Sequence, residues 1–229
     1  MIYFSLIYIF FTILIAIYFK KQNYLSNFSG DNHQLFSNEK NIPLVGGALL
    51  FIPTILLNLE NFFFVVSIIF ITLIGFLSDR KILASPKKRI LFQLTFVVIS
   101  VNTLDLEIIS SRVNFFDDLL EISVLNIFFT SFCLLILING SNFIDGLNGL
   151  LILYMTSVIF VIFKLGLVPQ NIIDKNIFIN FIFFLAILAI LNLFNVLMLG
   201  DSGAYLMSFF VGYLIITSHK LNPNISPYF

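Results

Sequence analysis

Three aspartates, Asp79, Asp145 and Asp201, combine residue type and spacing in a way that suits chemistry. Each ends or begins a long apolar run and has a glycine within a few residues. Ionisable groups near membrane depth are costly to hold, so their presence there points to function. A bland alternative is that each caps a helix, but three at corresponding places are harder to explain that way. The first lies in Gly75-Phe76-Leu77-Ser78-Asp79-Arg80, followed by Ser85-Pro86-Lys87-Lys88-Arg89 and Gln93. Ser-Pro is a helix-start signal. A helix N-terminus offers free N–H groups and the positive end of a dipole to a phosphate. Lys87 and Arg89 sit in that first turn, where the dipole disfavours cations, so an anionic ligand or a lipid headgroup explains them better than helix stability. The second aspartate lies in Asn139-Gly140-Ser141-Asn142-Phe143-Ile144-Asp145-Gly146-Leu147-Asn148-Gly149, expected as a polar loop between two spans. Asn139, Asn142 and Asn148 offer donors and acceptors suited to a sugar or a base. The third lies in Gly200-Asp201-Ser202-Gly203, where Ser202 is expected to start the last helix and set Asp201 at its mouth. That carboxylate suits a hard cation, since Mg²⁺ takes one or two carboxylates, keeps waters and shares substrate phosphates. Structural Zn²⁺ is disfavoured by a single cysteine, Cys133, and two distant histidines.

The elements that must position these groups follow from composition. The chain has 229 residues, 59% hydrophobic and only 10% charged, with mean hydropathy +1.05 and 30 Phe. Soluble domains are usually about 25% charged. One cysteine excludes a disulfide scaffold, and zero net charge argues against a nucleic-acid partner. Apolar runs span roughly 2–19, 42–57, 62–77, 90–101, 122–138, 147–165, 177–199 and 204–217. The reading is all-α: one polytopic transmembrane domain over residues 1–229, with about eight helices. Placing the N-terminus outside puts eight of the twelve Lys and Arg on the inner side, which sets the orientation. The three aspartates then share the inner face, and the acidic segment 102–121 lies on the outer surface.

In this order, the motifs resemble the polyprenyl-phosphate N-acetylhexosamine-1-phosphate transferases, a family that includes phospho-N-acetylmuramoyl-pentapeptide transferase and the enzymes that initiate O-antigen synthesis. An early Pro-x-x-Gly-Gly element is matched by Pro43, Gly46 and Gly47. A Gly-Phe-x-Asp-Asp loop is matched by Gly75, Phe76 and Asp79, with Lys87 and Gln93 after it. Asn139, Asn142, Asp145, Gly146 and Gly149 match an Asn-x-x-Asn-x-x-Asp-Gly-x-Asp-Gly loop, and Gly200, Asp201 and Gly203 a Gly-Asp-x-Gly loop. Ser78 and Asn148 depart from this pattern, standing where aspartates are usual. The family's last helices and a His-rich inner loop have no counterpart, so the chain resembles the front two thirds of a member.

The resemblance implies transfer of a sugar-1-phosphate from a UDP-sugar to undecaprenyl phosphate, releasing UMP, in cell-wall, peptidoglycan or lipopolysaccharide synthesis. It implies Mg²⁺, with Mn²⁺ as the alternative, held by Asp201. Asp79 and Asp145 become the catalytic carboxylates. Ser78, Lys87, Arg89, Gln93, Asn139, Asn142 and Asn148 become the substrate-binding set. The partners implied are undecaprenyl phosphate, a UDP-N-acetylhexosamine, the bilayer and a second copy of the chain. The place implied is the bacterial inner membrane, with the site facing the cytoplasm. Two other readings stand beside it: a truncated, inactive member of the same fold, and a transporter. A transporter usually sets its charges near the midplane, whereas these three aspartates share one face.

Overall fold

The structure, a computed structural model, describes residues 2–22, 25, 42–145, 149–169 and 173–224, with side chains from Tyr8 onward. Among the described residues there are nine helices and no strand. These are α1 (Ile2–Gln22), α2 (Gly46–Leu57), α3 (Phe62–Asp79), α4 (Pro86–Thr103), α5 (Asn114–Leu120), α6 (Ser123–Ile144), α7 (Leu150–Lys164), α8 (Lys175–Leu193) and α9 (Gly200–Leu221). Eight of them fall in the eight apolar runs, and the short α5 falls in the acidic segment. Three, α3, α6 and α8, are long and apolar enough to cross a membrane. Large apolar side chains such as Phe10, Phe62, Phe128 and Phe183 point outward from the bundle. Water would penalise that much exposed apolar surface, whereas lipid solvates it.

Several boundaries differ from the sequence reading, each for a local reason. The apolar run expected through residue 199 stops being helical at Leu193. Asn195 takes a left-handed conformation (φ 55°), so Val196 N–H bonds back to Leu191 O and Asn195 N–H to Asn192 O. Asparagine is among the few side chains that tolerate this helix-ending geometry. Residues 196–199 then run beside the start of α2: Met198 N–H donates to Pro43 O, Gly46 N–H to Met198 O and Gly47 N–H to Leu199 O. Conversely, α6 runs past residue 138 to Ile144, so Asn139 and Asn142 lie on a helix and not in a loop. Gly140 has open space around it, so nothing there forces the helix to break. Pro86 opens α4 with Ser85 as its N-cap, as the Ser-Pro signal predicts, although the Ser85 hydroxyl makes no capping bond.

The core sits around α9. Seventeen of its 22 residues are buried, against α2, α3, α6 and α7. Small residues make this close approach possible, as is usual where lipid offers no hydrophobic drive between helices. A Cβ on Gly75 would lie 2.4 Å from Ser202 Cα, and one on Gly47 would lie 2.4 Å from the Gly203 nitrogen. At the far end of the bundle, buried Asn126 latches the 105–121 segment. It accepts from Ile108 N–H and donates to the carbonyls of Ile108 and Leu120. Lys220 at the end of α9 pairs with Asp105 at 2.6 Å.

Candidate active site

The C-terminal end of α3, the first turns of α4 and α9 and the C-terminal end of α6 meet at one end of the bundle. The chain leaves α3 through Lys81 in a left-handed conformation (φ 58°), with Ile82 N–H bonded to Leu77 O. This turn sends α4 back beside α3 and brings Arg89 opposite Ser78. Asp79 does not face open space. Its Oδ1 accepts from Asp201 N–H at 2.7 Å, and its Oδ2 accepts from Ser202 N–H at 3.1 Å and Ser202 Oγ at 2.7 Å. It is thus a cap for α9 supplied by another helix, satisfying N–H groups a helix start leaves open. Gly200, at φ 71°, has no Cβ to strike the Asp79 carboxylate, which would lie 2.9 Å away. The helix therefore begins at Gly200, ahead of the expected Ser202, and Ser202 belongs to its first turn.

Asp201, freed from capping, receives three donors on one oxygen. Ser78 Oγ donates to Oδ2 at 2.5 Å, Arg89 Nη1 at 2.8 Å and the Tyr205 hydroxyl at 3.5 Å. Arg89 Nη1 also donates to Ser78 Oγ at 2.7 Å. No described residue donates to Asp201 Oδ1. Asp145 is half-buried at the end of α6. Burial and then the neighbouring Asp201 and Asp79 charges push its carboxyl up to about 7, while the Gly200 N–H acts against this rise. Gln93 is fully buried in α4; its Oε1 accepts from Asn139 Nδ2 at 2.9 Å and its Nε2 has no partner among the described residues. Asn142 is half-buried one turn beyond Asn139, and Lys87 is exposed in the first turn of α4. Asn148 lies outside the described residues. Gly149, just after it, donates its N–H to Asn192 Oδ1, tying the start of α7 to the end of α8.

The structure therefore brings together Ser78, Asp79, Arg89 and Asp201 by direct bonds, sets Asp145 within their electrostatic reach and pairs Gln93 with Asn139. Two site residues escaped the sequence reading. Ser202, expected only to start the helix, binds Asp79. Tyr205 follows Asp201 by four residues, one helical turn, so helical spacing was the signal that placed it on the same face. Among the described residues, no three of His, Cys, Asp and Glu are grouped to hold a metal. A site of one or two carboxylates with an open oxygen is nonetheless what Mg²⁺ uses beside phosphates, and Asp201 Oδ1 with nearby Asp145 fits that donor set. Asp79, with both oxygens engaged, does not. An apolar cavity of about 490 Å³, lined by Leu134, Leu137, Val161, Gly212 and Ile215, holds none of these residues.

The family model for Glycosyl transferase family 4 matches residues 61–219, more than half of the chain and all of α3 to α8. The chain belongs to this family. No curated protein and no solved structure matches it. Family 4 membership makes it a membrane transferase of the polyprenyl-phosphate sugar-phosphate class. The matched region contains Ser78, Asp79, Arg89, Asp145 and Asp201, whereas Pro43, Gly46 and Gly47 precede it and join the site through their bonds to residues 198–199.

Proposed function

We propose that this family 4 transferase moves an N-acetylhexosamine-1-phosphate, or a related sugar-1-phosphate, from a UDP-sugar to undecaprenyl phosphate and releases UMP. The observation that carries this is the meeting of Asp201, Asp145, Ser78 and Arg89 at one end of an apolar bundle in a family 4 chain. An oxygen of the lipid phosphate attacks the β-phosphorus of the UDP-sugar, and the bond from that phosphorus to the bridging oxygen breaks as UMP leaves. Such a transfer needs positioning and neutralisation of charge more than covalent help from the protein. The second pKa of a phosphate monoester is about 6, so at neutral pH the attacking oxygen needs little help from a base.

Asp201, with Asp145 beside it, would hold Mg²⁺ or Mn²⁺, which when bound neutralises diphosphate charge. Arg89 binds and orients phosphate, with the exposed Lys87 two residues before it in the same turn. Ser78 adds a hydroxyl hydrogen bond to phosphate, so an aspartate is not needed at that position. Asp79 positions Asp201 and Ser202 through their backbone N–H groups. Asn139, Asn142, Gln93 and Asn148 contact the sugar nucleotide or shape its place. The polyprenyl chain lies against the apolar flanks of the helices. Eight spans with the N-terminus outside put this end of the bundle at the cytoplasmic face of a bacterial plasma membrane, in a surface-polysaccharide pathway. The test supplies purified protein with undecaprenyl phosphate, radiolabelled UDP-N-acetylhexosamine and Mg²⁺. Labelled lipid and stoichiometric UMP are expected; absence of both, beside an active relative, overturns the proposal.

A further inference from the structure

Arg89 occupies a position its own helix disfavours. It lies in the first turn of α4, where the dipole repels cations, yet its side chain is folded onto Asp201 and Ser78 at 2.8 and 2.7 Å. Both partners of the ion pair are about three-quarters buried (25% and 23% exposed), so solvent only partly screens it. Ser78 is neutral, so Arg89 balances one carboxylate here. Among the described residues, all the donors crowd Oδ2 of Asp201 and none reaches Oδ1. A guanidinium stays charged at any working pH, so it cannot leave by losing its proton; it must move.

We infer that Arg89 is a built-in counter-cation that competes with the divalent cation for Asp201 and is released toward substrate phosphate when that cation loads. This rests on the reading of Asp201 as the cation-holding carboxylate. In the free site Arg89 then offsets the Asp201 charge, and its positive charge beside that carboxylate weakens cation binding until an anionic diphosphate offers Arg89 a new partner. Loading of cation and substrate thereby become coupled, since whatever draws Arg89 away favours the cation and the cation in turn frees Arg89.

The test uses the full chain in lipid nanodiscs and Mn²⁺ alone as the probe, with bound Mn²⁺ read from the loss of the free-ion EPR signal. A like charge a few ångströms away shifts an ionic equilibrium by about tenfold or more, so Arg89→Gln is expected to tighten Mn²⁺ binding by that factor. Arg89→Lys keeps the charge but not the planar fork, and is expected to fall between. In wild-type protein, Mn²⁺ is expected to speed phenylglyoxal modification of Arg89, mapped by mass spectrometry, and to leave Arg112 unchanged. This arm needs no variant to fold. If Arg89→Gln binds Mn²⁺ no tighter, or Arg89 reactivity does not respond, while Asp201→Asn abolishes binding, the counter-cation role is wrong and the cation site stands. If Asp201→Asn binds Mn²⁺ as wild type does, the site assignment fails and the inference fails with it.

Discussion

Asp79, Asp145 and Asp201 have the same side chain and three different tasks, set by their neighbours. Asp79 is saturated by α9 donors, Asp201 shares one oxygen with Ser78 and Arg89, and Asp145 is close to two other carboxylates. With its carboxyl raised to about 7, Asp145 keeps a proton in the folded chain over a range where the unfolded chain has already released it. The folded state therefore binds more protons between its ordinary value and about 7, and this group's contribution to stability falls as pH rises through that window. Asp145→Asn should then raise the melting temperature more at pH 8 than at pH 5 in cation-free buffer; an equal shift at both would contradict the charge argument. Asp201→Asn should reduce sugar-phosphate transfer by about 10²–10³, the usual cost of losing an electrostatic group at a reacting centre. Ser78→Ala should keep turnover within about tenfold of wild type at saturating lipid phosphate, because the phosphate is already a dianion. Complete loss would show that the hydroxyl has a larger part than hydrogen bonding.

Helix contacts, more than any one group, hold the site's geometry. The α3–α9 crossing works because Gly75 lets the Ser202 backbone approach, so Gly75→Ala puts a methyl where no flexible side chain can yield. That substitution should cost about 1–3 kcal/mol, as overpacking does, and shift the Asp79 cap off Asp201. Thermal unfolding and transfer rate measured together check it: loss of activity without loss of stability would place the effect on geometry alone. Asp79→Ala removes the acceptor for two backbone N–H groups and the Ser202 hydroxyl. Leaving buried donors unpaired costs about 1–3 kcal/mol, so this variant should unfold at lower temperature even without substrate or metal. An Asp79 variant that loses turnover but not stability would instead give that carboxylate a direct part in the chemistry.

In the whole bundle, each end carries its own ion pair. One end holds the Ser78–Arg89–Asp201 cluster, and the other holds Lys220 against Asp105 and Glu107. With the N-terminus outside, a cysteine at Lys87 should react with an impermeant maleimide only from the cytoplasmic side and one at Asp105 only from the outside, once Cys133 is replaced. The reverse pattern would invert the orientation. Much of this was legible in the chain itself. Apolar runs marked where helices form, because lipid and core both select for them over lengths that composition alone reveals. The glycine-flanked aspartates marked where helix ends converge on the candidate site, because charge is costly at such positions and must find partners. Helix ends were less legible: Asn195 ended α8 inside an apolar run by a left-handed turn, and α6 continued through Asn139 and Asn142 to Ile144. The sequence by itself determined the all-helical class, the membrane setting and the candidate carboxylates, since these follow from composition and local spacing. Only the tertiary structure decided that Asp79 caps α9 and that Arg89 neutralises Asp201, because those roles depend on which helix ends meet across 100 or more residues of chain.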